Sequence, residues 1–242
     1  MIDNSTEVQA IFNKIAPVYD QLNDALSLGL HKIWKQMAVM WSEANDGDTC
    51  LDLCCGSGDL AWMLAKCAGS KGLVYGVDFS VQQLAIARNR KPPLFGQISP
   101  INWVEADALN LPFADNYFDC ATMGYGLRNV LDIPRCLQEL YRVLKPNSKA
   151  AILDMHRPST SLVRSFQQWY LDTVVVPVAR NLELTQEYAY ISPSLTKFPT
   201  GLEQVELAYQ ARFVNAKHYP IVGGMMGILV ITKCDSLATK TS

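Results

Sequence analysis

Three apolar runs in the first half of the chain end in a glycine turn or an acid, and their spacing suits a nucleotide-like ligand. The stretch "LDLCCGSGDLAWML" (Leu51–Leu64) carries Asp52 inside an apolar run and then the turn Gly56-Ser57-Gly58. Glycine lets a backbone approach a ligand closely, and a helix starting near Asp59 would aim its first N–H groups at the same place. The next run ends in "YGVDFS", with Asp78 followed by Phe79; an acid at that tip accepts both hydroxyls of a ribose. A third run leads into "VEADALNLPF", where Asp107 could take the exocyclic amine of an adenine beside the N–H of Ala108. Each feature has a plainer reading: a tight strand-to-helix turn, a helix N-cap at Asp78 and a turn residue at Asp107. Chance explains any one of them more easily than all three in register.

The adjacent Cys54 and Cys55 raise the question of redox or metal chemistry. Seven cysteines (50, 54, 55, 67, 120, 136, 234) form no CxxC pair and no regular framework. That usage suits free, mostly buried thiols in a reducing compartment. A metal needs further ligands at suitable spacing, and none accompany the pair, so no metal is expected. Counting Gly56-Ser57-Gly58-Asp59-Leu60-Ala61 also satisfies the Ala variant of the dinucleotide fingerprint, which leaves an NAD-dependent oxidoreductase open. No GxxxxGK occurs, so an NTPase is not expected.

Strands are expected near 49–55, 73–77, 101–105, 117–123 and 149–155, with helices near 59–68, 80–90 and 132–144. This alternation predicts βαβ units and a parallel sheet with right-handed connections. Val8, Ile11, Phe12 and Ile15 fall at helical spacing ahead of Pro17. A second helix, roughly 28–43, carries Ile33, Trp34, Met37, Met40 and Trp41 on one side. From 157 to 199 the rhythm fails, and an aromatic-rich helical insertion is expected. A helix in "PTGLEQVELAYQA" and two strands near 213–219 and 225–232 follow; their closeness predicts a hairpin and an antiparallel last strand. The 242 residues suit one substantial α/β domain over 46–242, preceded by a helical lid over 1–45.

A formal net charge of -2 makes no electrostatic case for nucleic acid. "MIDNSTEVQA" has neither the basic and apolar regions of a secretory signal nor the Arg content of a transit peptide. "YPIVGGMMGILVIT" (Tyr219–Thr232) is too short to span a bilayer and is broken by Pro220, Gly223 and Gly224.

Taken with "FDCATMGYGLRNV" and "RVLKP", the three strand ends resemble a class I S-adenosylmethionine-dependent methyltransferase. The glycine loop of that class, D-x-G-x-G-x-G, reads here from Asp52 to Gly58, with Cys54 in place of the first glycine. "FNKIAPVYDQLNDALSLGLHKIW" (12–34) is similar to the signature of the ubiquinone/menaquinone C-methyltransferase family, at Tyr19, Asp20, Asn23, Ser27, His31 and Trp34, with Leu22 for the usual Met. "RVLKPNSKAAILDMH" keeps the second signature in part, with Asn147-Ser148 for a Gly pair and Asp154 for Glu. The "LD-x-HRP" ending, "WYLDTVVVPVA" and "GGMMGILV" are similar to the phylloquinone branch of cyanobacteria and plastids.

The resemblance implies a Rossmann-like α/β fold with a seven-stranded, mostly parallel sheet, an antiparallel last strand and helices on both faces. It implies methyl transfer from S-adenosylmethionine to a ring carbon of demethylphylloquinol, leaving S-adenosylhomocysteine. Demethylmenaquinol or another prenylated quinol is the alternative substrate, and a non-catalytic S-adenosylmethionine-binding protein the alternative role. Asp52, Gly56, Ser57, Gly58, Asp78, Phe79, Asp107, Ala108 and Gly124 would then hold the cofactor. Ionising a phenol of pKa ~10 at pH 7 costs roughly 4 kcal/mol, which a cation beside the oxygen offsets in part. Arg128 is the family's cation for that role; the plainer reading is an anchor for a neighbouring carboxylate. Tyr19 and His31 would cap the pocket, and Tyr125, Asn129 and Trp169 would touch the substrate. His156 is a candidate proton acceptor, with a structural role and water as the alternatives. Phe166, Trp169, Tyr170 and residues 174–179 would cover an isoprenoid tail and meet a membrane surface transiently. The expected setting is cytoplasmic and peripheral at the thylakoid membrane, or plastidic after removal of a transit peptide; a homodimer stays open.

Overall fold

The computed structural model describes residues 5–18, 23–24, 27–91, 98–177 and 191–234. Seven strands form one sheet: β1 (Thr49–Leu53), β2 (Leu73–Asp78), β3 (Ile101–Glu105), β4 (Phe118–Gly124), β5 (Leu144–Met155), β6 (Asn215–Ile221) and β7 (Met226–Thr232). Their order is β3-β2-β1-β4-β5-β7-β6. The first five run parallel, while β7 lies antiparallel to both β5 and β6. A short 3₁₀ turn (Val222–Gly224) closes the β6–β7 hairpin that the sequence predicts.

Strand order reverses between β1 and β4, so a crevice opens beyond their carboxyl ends. The sheet is covered on both faces, which is why its central strands read as continuous apolar runs rather than alternating ones. Leu51 and Leu53 of β1 face a core completed by Leu137 and Leu140 of α5 (Ile133–Val143) and Ala208 of α8 (Gly201–Gln210). Cys50 faces the other side, with Ala38 and Val39 of α2 (Leu30–Trp41) and Leu60 and Leu64 of α3 (Asp59–Ala68). Each fully buried leucine contributes about 1.5–3 kcal/mol.

Two expectations need correction. Of the five residues expected on one side of α2, Trp34, Met37 and Trp41 pack against the core, whereas Ile33 and Met40 are 52% and 64% exposed; the buried positions are His31, Lys35, Ala38 and Val39. Small Ala38 lets the helix lie close to the sheet, and His31 and Lys35 are drawn inward by polar partners. Second, β5 starts at Leu144 rather than near 149, directly at the end of α5. Leu144 pairs with Phe118 before an irregularity that includes Asn147 in left-handed conformation (φ 64).

Of the N-terminal segment, α1 (Ser5–Ile15) lies against α4 (Val81–Asn89), while α2 belongs to the core of one sheet face. The insertion supplies α6 (Ser161–Tyr170), a π-helical turn (Leu171–Val175) and α7 (Ile191–Lys197). Tyr19, Asp20 and residues 178–190 lie outside the described residues.

Candidate active site

A cleft opens at the switch point. Gly56, Ser57, Asp78, Phe79, Asp107, Ala108, Gly124, Tyr125 and Asn129 all line it, so nine of the sequence-predicted residues meet in one place. The turn after β1 leaves the strand through Cys54 (φ 55) and passes Gly56 (φ 54) and Gly58 (φ 90), all left-handed. Gly56 N–H donates to Asp78 Oδ2 at 2.8 Å, and Ser80 N–H donates to Asp78 Oδ1 at 2.8 Å. Asp78 thus binds the glycine turn to the tip of β2, and burial pushes its pKa upward. The cap of α4 is Ser80, whose Oγ accepts from Gln83 N–H at 3.2 Å, so Asp78 is not that helix's N-cap. Asp107 combines both readings: it lines the cleft, and its Oδ1 accepts from Leu109 N–H at 2.9 Å in a turn.

Two cofactor candidates stand behind the cleft wall. Asp52 is fully buried, accepts from Thr122 Oγ1 at 3.0 Å, and is pushed by burial to a pKa of about 7. Gly58 serves packing, since a Cβ there would lie 2.4 Å from the Trp103 ring. The cysteines are walls. Both line the cleft, and burial raises both thiols well above their usual range, keeping them neutral. Cys54 rests on Gly126, where an added Cβ would come within 2.6 Å of Cys54 Cβ.

Arg128 is not part of the cleft lining, although Tyr125, Gly126, Asn129 and Val130 around it are. Its N–H donates to Asp154 Oδ2 at 3.0 Å, its Nε lies 3.6 Å from Asp154 Oδ1, and Nη1 donates to Tyr125 O at 3.3 Å. The carboxylate-anchor reading therefore describes its contacts, with the carboxylate on a strand rather than a helix. His156 is buried and also off the cleft: Nδ1–H donates to Asp154 O at 3.0 Å, leaving Nε2 to accept from Gln204 at 2.8 Å and His218 at 3.0 Å. Its own carbonyl accepts from Gln167 of α6 at 2.9 Å, and its ring lies 5.1 Å from Phe198. His156 joins the insertion to the end of β5.

His31 likewise organises a helix start. Ser27 O–H donates to Asn23 O at 2.6 Å, so the 2.7 Å contact has His31 Nδ1–H donating to Ser27 Oγ. Trp169 is 54% exposed on α6.

Sequence reasoning missed Val8 and Phe12 of α1, Lys35 of α2, Asp59 and Gln83, all on the cleft wall. Val8 and Phe12 sit one helical turn apart, which places them on one face but does not say what that face covers. Gln83 carries no local signal at all. Among the described residues its buried side-chain amide has no hydrogen-bond partner at either end, and neither has Asn129 Oδ1. Buried amide groups are normally paired, so these atoms mark polar positions for a ligand.

A model of the ubiE/COQ5 methyltransferase family matches residues 1–233. The chain belongs to the ubiE/COQ5 methyltransferase family. This family member is 64% identical over 229 residues to the 2-phytyl-1,4-naphtoquinone methyltransferase of Trichormus variabilis, covering 95% of this chain and 100% of that protein. It is 52% identical over 227 residues to the chloroplastic 2-phytyl-1,4-beta-naphthoquinone methyltransferase of Arabidopsis thaliana, covering 93% and 87%. Among solved structures it resembles an S-adenosylmethionine-dependent methyltransferase from Thermotoga maritima, with TM-score 0.63, 20% identity and 93% and 99% coverage. A putative methyltransferase from Methanococcus maripaludis gives 0.62 at 21% identity, covering 93% and 94%. These two likenesses bear on the fold. The methyltransferase family replaces the oxidoreductase alternative.

Proposed function

We propose that the protein transfers a methyl group from S-adenosylmethionine to a ring carbon of demethylphylloquinol, completing a phylloquinone-type ring. The observation that carries this reading is 64% identity, over the full length of the relative, to a 2-phytyl-1,4-naphtoquinone methyltransferase. The cleft fits the cofactor: acids at the tips of β2 and β3, left-handed glycine at the tip of β1, and an unpartnered buried amide at Gln83. Asp107 and Ala108 would hold the adenine, and Asp78 the ribose. Phe12, Phe79 and Gln83 would close the adenosine end, while Gly56, Ser57 and Gly124 would face the amino-acid end. Asp52 would support the turn from below.

Bound S-adenosylmethionine supplies an electrophilic sulfonium methyl, so this chain's task is to orient and activate a carbon nucleophile. Tyr125, Asn129, Val130 and Leu131 would hold the naphthoquinol ring, which must be reduced to push density onto its carbon. The Arg128 guanidinium, steadied by Asp154, would lend positive potential to the quinol oxygen. His156 has its nitrogens engaged inside the fold, so water rather than this ring would take the released proton. Tyr19 remains proposed as a pocket cap.

The prenyl tail calls for an apolar exit. Leu162, Phe166 and Trp169 lie on one face of α6 and are 78%, 51% and 54% exposed. This stripe supports transient contact with a membrane surface, since no helix among the described residues is long and apolar enough to cross one.

The test is anaerobic incubation with labelled S-adenosylmethionine and demethylphylloquinone, with and without a reductant. Labelled product is expected under reduction alone. Equal rates on the oxidised quinone would overturn the oxyanion mechanism, and faster turnover of demethylmenaquinol would reassign the tail.

A further inference from the structure

Away from the cleft, a second depression lies between the end of β5, α6 and α7. Arg157 and Arg164 line it together with Ser165 and Gln168, and buried Leu171 and Leu195 supply its apolar part. None of the described residues lining it is acidic. Arg157 is exposed, and neither arginine forms an ion pair among the described residues. Arg164 is held in place, its Nε donating to Pro158 O at 3.2 Å and its Nη2 to Ser159 O at 2.9 Å. Both acceptors are neutral carbonyls, so they leave its charge uncompensated. The first acid that follows in sequence is Asp172, whose two oxygens accept from Gln168 Nε2 at 2.9 and 3.0 Å. Two arginines in a depression without an acidic lining suit an anion, and the planar fork of a guanidinium matches the paired oxygens of a phosphate.

Position says which anion. Arg157 follows the end of β5 by two residues, so the depression lies at the same end of the sheet as the cleft. Around α6, Leu162, Phe166 and Trp169 form the exposed stripe, while buried Gln167 and Leu171 face inward. Ser165 and Gln168 stand on the flank between the two, with Ser165 about 100° around the helix from Phe166. A helix lying flat on a bilayer, its stripe in the acyl boundary, holds such a flank at headgroup depth, and Trp169 suits that interface. The formal net charge of the chain is -2, so an anionic surface does not attract the molecule as a whole. The two arginines are a local exception.

We propose that this depression receives the phosphate of an anionic phospholipid headgroup, with Arg157 and Arg164 as its cations and the stripe of Leu162, Phe166 and Trp169 in the lipid beside it. This rests on the reading of α6 as the face that meets a membrane. A bound headgroup fixes the rotation of α6 on the surface, which keeps the cleft end of the sheet next to the bilayer that holds a prenylated substrate.

Sedimentation of the full-length protein with vesicles tests it, using phosphatidylcholine alone or mixed with phosphatidylglycerol. Phosphatidylglycerol is expected to raise the partition constant about 10- to 30-fold, as two basic side chains at an anionic surface would. Arg157→Gln combined with Arg164→Gln should abolish that gain and leave binding to phosphatidylcholine within about twofold. Lys66→Gln combined with Lys71→Gln removes the same charge from exposed positions at the other end of the sheet, and should keep the gain. Equal losses in the two pairs, or none in the arginine pair, overturn the proposal. Should the arginine pair fail to fold, Arg157→Gln alone is measured: about a fivefold loss is expected, and no loss overturns the assignment. Glycerol 1-phosphate separates the sources, since its binding by calorimetry without vesicles would assign the depression to a soluble phosphate and overturn the lipid. Equal binding to both kinds of vesicle removes the headgroup site alone. Binding to neither removes the membrane reading of α6, and the headgroup site with it.

Discussion

Cys54 shows how a single residue departs from the D-x-G-x-G-x-G loop of class I methyltransferases without breaking the turn. Its left-handed backbone (φ 55) costs a non-glycine residue about 1–2 kcal/mol. The side chain compensates by filling the space over Gly126, which has no Cβ to obstruct it. Gly126→Ala should therefore clash, lowering stability by about 1–3 kcal/mol. Combining it with Cys54→Gly should restore most of that loss. Denaturant midpoints of the two single variants and the double variant measure the coupling, and additive effects would count against the packing argument. Seen this way, Cys54-Cys55 needs no redox chemistry: both thiols are neutral walls.

At the scale of elements, two features depend on polar side chains buried between them. In α2, the chain Asn23–Ser27–His31 sets the first turn, and Lys35 one turn further reaches Asp59 of α3. In the β6–β7 hairpin, His218 enters against His156, where glycines 201 and 227 leave room for its ring. Burial, and then the neighbouring His156, push His218 down to about 4. A histidine held neutral in the fold and free to protonate when unfolded makes stability fall with acidity. Stability is unaffected by this group above pH ~6.5 and falls as the pH drops from there towards 4. Urea midpoints at pH 7.5 and 5.0 should show this slope, flattened in His218→Gln. An unchanged slope would remove His218 as its source.

For the whole molecule, the cleft and the face proposed to meet lipid are different surfaces. The cleft opens at the strand tips, while Leu162, Phe166 and Trp169 face outward on α6. Replacing both Phe166 and Trp169 by alanine should lower the partition constant for phospholipid vesicles at least tenfold, each aromatic contributing about 1–2 kcal/mol of apolar contact. S-adenosylhomocysteine affinity should be unaffected. Equal vesicle binding by both proteins would remove α6 as the membrane face.

The sequence by itself determined the β-α alternation, the glycine turn after β1 and the acids at Asp78 and Asp107, because these are local. Strand tips, glycine turns and helix starts are set by neighbours along the chain. It also conveyed the terminal hairpin, whose short connection forbids a crossover. Tertiary structure alone decided that His31 and Lys35 of α2 are buried, because polar partners rather than hydrophobicity draw them in. It also decided that Gln83 lines the cleft, that Arg128 leans on Asp154, and that His156 meets His218 sixty-two positions away. A polar residue's environment depends on what the fold brings to it, and spacing along the chain carries no record of that.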